Sequence, residues 1–425
     1  MQHQAVQPAR IHAGRVLVIA PHGSYRSSAF IQAAQQQGIE VLIASQGEYS
    51  IVSEFAKGLQ IDLNDEQQSL EKILQAAEQQ TFTGIIGTDD ATTVLATRVA
   101  QELGLPHNPV AAVRIARSKD QARQCLAQHN VRIPDFRIIN TATALDAQLE
   151  GVTYPAVIKP VALSASRGVI RVNDRAELDA AITRITAILQ DELQLSEQQR
   201  QTLLLEQFIP GKEAALEGML YGGELDVLSL FDKPDPMDGP FFEETYYVTP
   251  SSFSAEVQAA IKQEVQAACH AYGLTEGPVH AECRINEEGI WILEVAARTI
   301  GGLCGRLLRF GTGHNLEDLV LAHAQTKRIK VGAQEGAAGV LMIPMSEAGI
   351  LKRVEGLLDA QRVPGIEEVS IQIRDGYELV PLPEGGSYLG FIFARAETSV
   401  QVEQALRQAH DCLNIVVAPL WKVKI

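Results

Sequence analysis

The residues best suited to chemistry lie in a predicted β-hairpin over residues 278–298, PVHAECRINEEGIWILEVAAR. A three-residue loop, residues 287–289, is a common hairpin closure, and it would place Glu282 directly opposite Glu294. Directly opposed residues have Cβ atoms about 5 Å apart, and two like charges at that spacing repel each other unless a cation lies between them. Carboxylate oxygens suit Mg²⁺ or Mn²⁺. The hairpin therefore predicts a divalent-metal site, and the alternative is a solvated acidic face.

The same register predicts the rest of the hairpin. It pairs His280 with Ala296 and Arg284 with Ile292, and Arg298 extends past the predicted ion on the same side. The opposite face is wholly apolar and is expected to face the core, with members Val279, Ala281, Cys283, Ile285, Trp291, Leu293 and Val295.

Two upstream segments are suited to binding a phosphate group and a purine nucleoside. A predicted strand ends at Lys159, and the loop 164–168 after it is rich in small and hydroxyl residues. Small residues let backbone N–H groups approach an anion, and a lysine supplies a point charge for phosphate oxygens. Residues 203–213 run strand, linker, strand, so the linker backbone suits a purine edge and Glu213 suits ribose hydroxyls. Taken alone, the Ser-rich loop is more typical of an ordinary surface hairpin than of a phosphate site.

These residues must be positioned by several domains, because 425 residues exceed one ordinary hydrophobic core. Strands and helices alternate over about the first 115 residues, which indicates an open α/β layer. The predicted elements of that layer are strands at 15–20, 41–44 and 84–87 and helices at 28–37 and 90–103. Strand-rich segments follow, which indicates an α+β module. Its predicted strands are 156–159, 168–172, 203–206 and 213–220, with a helix at 175–190, and a last helix is predicted near 400–413.

Composition excludes several classes of protein. The 36 Lys and Arg against 52 Asp and Glu give a net charge of −16, and such a surface repels a nucleic-acid backbone. No apolar run approaches the roughly 18 residues of a membrane span, and residues 1–14 lack the apolar stretch of a signal peptide. The five scattered cysteines suit reduced thiols. A cytoplasmic protein without nucleic-acid or membrane partners is expected. P-loop, zinc-protease, serine-hydrolase and kinase motifs are missing from the sequence.

In chain order, the motifs resemble the ATP-grasp superfamily of carboxylate–amine ligases, and the last of them resembles its L-amino acid (dipeptide) ligase branch. The motifs are Ser118-Lys119-Asp120, Lys159-Pro160, Ser166-Arg167-Gly168-Val169, the segment 206–213 (EQFIPGKE), His280-x-Glu282 and Glu294-x-Ala296-Ala297-Arg298. The resemblance implies an ATP-grasp fold of α/β and α+β type in four parts. These are an N-terminal pre-ATP-grasp domain (1–115), a small lid subdomain (116–205), a large catalytic subdomain (206–330) and a C-terminal α+β domain (331–425).

The resemblance also implies a role for individual residues. Two lysines would contact ATP phosphates under a short lid, four consecutive residues would line the adenine with backbone groups, and one glutamate would bind the ribose. These ATP contacts are, in chain order, Lys119, Lys159, Ser166, Arg167, Gly168, Glu206, Gln207, Phe208, Ile209 and Glu213. Glu282 and Glu294 would bind Mg²⁺ or Mn²⁺, and Lys159 and Arg298 would act in catalysis. The expected substrate contacts are Glu244, His280, Arg298, Gly301, Gly302 and Arg306. The alternatives are a charged loop tip for Glu244, a hairpin histidine with its own partners for His280 and a helix surface position for Arg306; the first two are the preferred interpretations of those residues taken alone.

The implied reaction joins a small-molecule carboxylate, activated by ATP as an acyl phosphate, to an amine, with L-amino acids as the expected substrates. A homodimer is expected by analogy alone. Two features depart from the family pattern: Ala296 stands where an asparagine is usual, and the lid has a single glycine, Gly168. Two alternatives stay open, a carboxylase or purine-pathway ligase of the same superfamily and a catalytically inactive nucleotide-binding regulator.

Overall fold

The computed structural model describes residues 15–22, 24–46, 57–332 and 334–420. The predictions made for residues 1–14 lie outside these ranges. The chain forms two compact units, one from residues 1–107 with 317–329 and the other from residues 108–316 with 330–425.

The first unit contains the predicted open α/β layer. Its elements up to residue 107 are β1 (Arg15–Ile19), α1 (Arg26–Gln37), β2 (Val41–Ser45), β3 (Lys57–Gln60), α2 (Glu66–Gln79), β4 (Phe82–Gly87) and α3 (Asp90–Glu102). The four strands are parallel in the order β3-β2-β1-β4. Every residue of β1 is buried, as its RVLVI sequence predicts for a strand covered on both faces.

The second unit begins with two helices and a four-stranded antiparallel sheet. The elements are α4 (Val110–Arg117), α5 (Lys119–Gln128), β5 (Phe136–Asn140), α6 (Leu145–Gln148), β6 (Ala156–Pro160), β7 (Ile170–Val172), α7 (Arg175–Gln190), α8 (Glu197–Gln201) and β8 (Thr202–Gln207). The strand order is β5-β8-β6-β7. Helix α7 begins where the Asp174 side chain accepts the Glu177 amide hydrogen, and it covers the sheet with Leu178, Ile182 and Ile185. This sheet contains Lys159 and Glu206 on neighbouring strands.

A larger sheet follows and contains the acidic hairpin. The next elements are β9 (Lys212–Tyr221), β10 (Glu224–Lys233), β11 (Tyr246–Thr249), α9 (Ala255–Tyr272), β12 (Gly277–Asn286), β13 (Gly289–Ala296), α10 (Arg306–Thr312) and α11 (Leu316–Ala324). The C-terminal elements are β14 (Ala337–Ile343), β15 (Gly349–Glu355), α12 (Leu357–Arg362), β16 (Ile366–Ile371), β17 (Glu378–Leu379), β18 (Gly390–Ala396), α13 (Ser399–Asp411) and β19 (Asn414–Ala418).

The large sheet has the order β13-β12-β9-β10-β11-β14-β18-β16, and a small sheet has the order β17-β15-β19. Three strands of the C-terminal region therefore continue the sheet that contains the hairpin. Their side chains form one core with α13, which contributes Val402 and Leu406. The C-terminal region is thus fixed to the rest of the second unit by backbone pairing and by a shared core.

The structure of the hairpin confirms the predicted pairing of Glu282 with Glu294 and corrects the predicted register on either side of the loop. Glu282 lies opposite Glu294, as predicted. Asn286 pairs with Gly289, so the loop has two residues and not three. The Asn286 side-chain oxygen accepts the Glu288 amide hydrogen at 3.0 Å, which tightens the turn. A register shift next to Glu282 makes Leu293 an extra residue on β13 and restores the predicted alignment at the acidic pair.

The predicted pairing of Arg284 with Ile292 is wrong. The two-residue loop shifts the register by one residue between the loop and the bulge. Arg284 lies opposite Trp291. The predicted core positions of Trp291 and Leu293 are wrong for the same reason. Both side chains are half-buried, whereas Ile290 and Ile292 are buried.

Candidate active site

A buried ionic triad lies at the meeting point of α5, β6 and β8. Glu206 Oε2 is 2.5 Å from Lys159 Nζ, and Arg123 donates through Nε to Glu206 Oε1. The side chains of these three residues are at most 10% exposed. Arg123 also donates to the carbonyl oxygen of Leu293 at 2.6 Å, a group on the hairpin bulge. The triad therefore ties the Lys159 ammonium group to the acidic hairpin.

The charges of the triad control one another's protonation. Burial would raise the pKa of Glu206, but Arg123 and Lys159 hold that pKa below its ordinary value. Burial lowers the pKa of Lys159 from its ordinary value, although Glu206 opposes the shift. The Glu206 side chain is thus an internal anion for two cations. Arg123 is a residue that the sequence reasoning missed.

Around Glu294 the structure gathers cations from three separate motifs. Lys119 Nζ lies 3.2 Å from Glu294 Oε1 and also donates to the Leu163 carbonyl oxygen at 3.1 Å. Desolvation would raise the pKa of Glu294. The cations Lys119, Lys159 and Arg298 nevertheless hold that pKa at about 2. Motifs that are up to 179 residues apart in sequence, from Lys119 to Arg298, therefore act electrostatically on one carboxylate.

On the opposite strand, Glu282 lies in a cluster centred on Lys233. The Lys233 ammonium nitrogen is 2.7 Å from Glu213, 2.6 Å from Glu244 and 3.7 Å from Glu282. One carboxylate oxygen from each glutamate lies within 4.8 Å of the other two. Burial would lower the pKa of Lys233, but the three carboxylates raise it well above its ordinary value. Burial and the neighbouring Glu282 raise the pKa of Glu244.

The sequence reasoning missed Lys233, although part of the signal was present. The Gly222-Gly223 turn between β9 and β10 predicts a two-residue hairpin loop, and that register would place Asp232 opposite Glu213. The register shifts by one residue between Val227 and Ser229, so Lys233 lies opposite Glu213 instead. A bulge therefore brings the cation into the cluster.

The predicted ribose ligand, Glu213, is a buried anion with two ion-pair partners. Its Oε1 faces Lys233, and its Oε2 lies 3.1 Å from Arg284 Nε. Arg284 also donates to the Ile209 carbonyl oxygen at 2.7 Å, and its guanidinium lies 5.0 Å from the centre of the Phe208 ring. Arg284 thus fixes the linker that was predicted to line the adenine.

Several backbone groups of that linker already have partners within the protein. The Gln207 amide hydrogen bonds to the Asp135 carbonyl oxygen at 2.8 Å, and the Phe208 amide hydrogen bonds to the Pro155 carbonyl oxygen at 3.1 Å. These two groups therefore hold the linker in place. Their predicted role in adenine binding stays a prediction.

His280 lies between two carboxylates on the strand of Glu282. Its Nδ1 is 3.3 Å from Glu217 Oε2, and its Nε2 is 3.5 Å from Glu282 Oε1. Glu217 Oε2 also accepts the Ile300 amide hydrogen at 3.0 Å. Only 7% of His280 is exposed, so its predicted contact with substrate stays a prediction.

The remaining predicted substrate residues lie after the hairpin. Gly302 has a φ of +60°, and an added Cβ would lie 2.6 Å from the Met342 sulfur, so a side chain would not fit there without displacement. Gly301 accepts the Cys304 amide hydrogen at 3.1 Å. Arg306 begins α10 and pairs with Glu368 at 2.6 Å, with both side chains more than 40% exposed. Its surroundings thus fit the surface alternative as well as the predicted role.

The predicted lid residues form the loop between β6 and β7. Arg167 pairs with Glu192 at 2.7 Å. Ala165 and Ser166 both have a φ of +55°. Gly168 follows with a φ of +70°, where its missing side chain permits contact with the Pro160 ring. The loop thus has a defined conformation, with Arg167 paired to Glu192 and Gly168 packed against Pro160.

Comparison with known proteins identifies the domains of the chain. The family model of the ATP-grasp domain matches residues 152–306, that of the ATP-grasp N-terminal domain matches residues 31–107, and that of the L-amino acid ligase C-terminal domain 2 matches residues 341–418. The solved L-amino acid ligase from Bacillus licheniformis superimposes with a TM-score of 0.84 at 27% identity, covering 96% of this chain and 99% of that one.

Two curated relatives are each 24% identical. Human carnosine synthase 1 aligns over 68% of this chain and 37% of its own length, and alanine–anticapsin ligase from Bacillus subtilis aligns over 56% and 52%. The chain thus spans about a third to a half of the length of these two relatives.

Among the described helices, none combines the length and the apolar character needed to cross a membrane.

The chain therefore contains an ATP-grasp domain together with an ATP-grasp N-terminal domain, and its C-terminal region matches the C-terminal domain of the L-amino acid ligases. The fold prediction made from the order of the motifs is confirmed.

Proposed function

We propose that this protein is an ATP-dependent carboxylate–amine ligase that joins L-amino acids, or a similar carboxylate and amine, through an amide bond. The observation that carries the proposal is the ion pair of Lys119 with Glu294 at 3.2 Å, directly opposite Glu282. Lys119, Lys159 and Arg298 all lower the pKa of that carboxylate. Phosphoryl transfer needs cations that hold charge in line, and it needs little covalent help from the protein.

The residues fit a divalent cation held by Glu282 and Glu294. Their side chains keep 25% and 35% of their surfaces exposed, whereas Glu206 and Glu213 keep at most 6%. Carboxylate oxygens are the ligands that Mg²⁺ prefers, and Mn²⁺ accepts the same donors. The bound ion would neutralise charge on the phosphoryl oxygens. Because Ala296 offers no side-chain ligand, any further ligands would come from substrate oxygens or water.

The chain's own residues have separate tasks in the proposed reaction. A carboxylate is a poor electrophile, so its oxygen first attacks the γ-phosphorus of ATP and ADP leaves. Lys119 and Lys159 would hold the charge of the phosphoryl oxygens, and the lid loop would exclude water. The amine then attacks the acyl carbon, phosphate leaves, and the amine proton passes to solvent. Arg298 would stabilise the oxyanion formed in that step.

The test is phosphate release from Mg²⁺-ATP with each amino acid singly and in pairs, with mass spectrometry of the products. A ligase releases phosphate only with a particular pair and yields one new amide. Glu294→Gln should abolish this release, because it removes the charge that the three cations surround. Glu288→Gln, at the exposed hairpin tip, is the matched control and should leave the release unchanged.

Two other outcomes would contradict the proposal. Release that needs bicarbonate or a phosphorylated carboxylate, and no amino acid, would identify a carboxylase or a purine-pathway type of ligase. Tight ATP binding with no release in any combination would identify a nucleotide-binding regulator.

A cytoplasmic location and a homodimer remain part of the proposal by analogy, and size-exclusion chromatography with light scattering tests the dimer.

A further inference from the structure

The lid loop, residues 164–168, touches a loop of the C-terminal region, residues 381–386, which we name the clamp loop. The Gly168 amide hydrogen bonds to the Pro383 carbonyl oxygen at 2.9 Å. Arg167 Nε donates to the Glu384 carbonyl oxygen, also at 2.9 Å. The clamp loop therefore accepts hydrogen bonds from two consecutive residues of the predicted phosphate lid.

A side-chain ion pair fixes the clamp loop to the helix behind the lid. Arg184 on α7 donates from Nε to Glu384 Oε1 at 2.6 Å and from its terminal nitrogen to Oε2 at 2.9 Å. This two-bond geometry matches the planar guanidinium to the carboxylate and fixes their relative orientation. Glu384 thus contacts the lid subdomain through both its main chain and its side chain.

Gly386 of the clamp loop packs closely against the lid loop. An added Cβ on Gly386 would lie 2.6 Å from Arg167 Cδ and 3.4 Å from Ala165 Cβ, so the clamp loop lies against the lid with no space for a side chain. Ala165 and Ser166 have left-handed backbone conformations, which L-residues adopt only when their surroundings hold them. The clamp loop is one of those surroundings.

We propose that Glu384 is a positioning residue for the phosphate lid: its ion pair with Arg184 holds the clamp loop against Arg167 and Gly168. The C-terminal region would then control how often the lid opens for nucleotide exchange. The effect on nucleotide rests on the proposed function, because the lid's role toward ATP belongs to that proposal. The contact between the clamp loop and the lid loop does not depend on the proposed function.

Limited trypsin cleavage after Arg167 measures lid opening directly and needs no turnover. Cleavage tracks the population of the opened loop when opening and closing are fast. An exposed ion pair of this kind changes such a population by about two- to fivefold. Glu384→Gln and Arg184→Gln should each raise the cleavage rate by that factor, and the charge swap Arg184→Glu with Glu384→Arg should restore it.

The matched control is Glu355→Gln. Glu355 belongs to the same C-terminal region, pairs with Arg353 at 2.6 Å with similar exposure and accepts a hydrogen bond from Asn414 at 2.7 Å. Among the described residues, no hydrogen bond or ion pair joins Arg353 or Glu355 to the lid. This control should leave cleavage after Arg167 unchanged, and every variant should keep its melting temperature within about 2 °C of the parent protein.

A second readout connects the clamp to nucleotide. In Glu384→Gln, the dissociation rate of a fluorescent ADP analogue and the KM for ATP should rise by the same two- to fivefold, while kcat stays within about twofold. Unchanged cleavage in both single variants, or a charge swap that does not restore it, would overturn the inference even if the protein is a ligase. Faster cleavage in a protein without turnover would support the clamp and refute only the proposed function.

Discussion

The triad of Arg123, Glu206 and Lys159 allows a quantitative test of how the site is held together. The change is Glu206→Gln, which keeps the shape of the side chain and removes its charge. Lys159 then loses the ion pair at 2.5 Å while only 10% of its side chain is exposed. Arg123 keeps its bond to the Leu293 carbonyl oxygen at 2.6 Å. The main consequence is therefore that a buried ammonium group and a buried guanidinium group lose the anion that they share.

Removing one partner of a buried ion pair costs about 3–5 kcal/mol of the free energy of unfolding. For a unit of about 300 residues, a loss of 3–5 kcal/mol corresponds to a melting temperature lowered by roughly 5–8 °C. A second change, Lys159→Met in the Glu206→Gln background, removes one of these two uncompensated charges and leaves Arg123 with its carbonyl partner. It should recover at least about 1 kcal/mol.

The pH dependence of the melting temperature gives an independent reading. Because the folded-state pKa of Glu206 is held below its ordinary value, its ionisation stabilises the fold above the unfolded-state pKa of about 4.3. That contribution is lost as the pH falls below this value, so the parent protein should lose stability in acid more steeply than Glu206→Gln does.

The measurement is thermal unfolding followed by circular dichroism from pH 3 to pH 8, with Asp146→Asn as the matched control. Asp146 pairs with Arg175 at 2.6 Å, but its side chain is 95% exposed, so its loss should cost less than about 1 kcal/mol. A Glu206→Gln variant as stable as Asp146→Asn would refute the reasoning, because the triad would then contribute no more than a surface pair.

Two further predictions concern the backbone and the thiols. Gly211 has a φ of +136°, and an added Cβ would lie 2.3 Å from the Ile285 carbonyl oxygen, so Gly211→Ala should cost about 1–3 kcal/mol in denaturant unfolding. Gly222→Ala, with open space around its Cβ, should cost less, and equal losses would contradict this explanation. Burial raises the pKa of Cys269 to about 12, so at pH 8 iodoacetamide should modify the native protein at the half-buried Cys412 well before Cys269. Mass spectrometry of the peptides decides the order, and early modification of Cys269 would show that its helix opens readily.

The sequence by itself determined many of the elements and the class of the fold. The buried RVLVI run of β1 and the capped helix α7 follow from local patterns of apolar and capping residues, which neighbouring residues alone specify. The pairing of Glu282 with Glu294 was also accessible, because a hairpin joins two strands that are adjacent in sequence. Its register was correct at that pair only because the shorter loop and the bulge compensate each other.

Only the tertiary structure decided which charges meet. Lys233 faces Glu213 because of a one-residue register shift within β10, and the alternation of apolar and polar residues does not specify where such a shift occurs. Arg123 reaches Glu206 from a helix that is 83 residues away in sequence, and Glu384 reaches Arg184 across 200 residues. Contacts of this kind depend on how sheets and helices stack, which is set by the summed burial of many side chains. Local periodicity specifies which face of an element is buried, but not which distant element covers it.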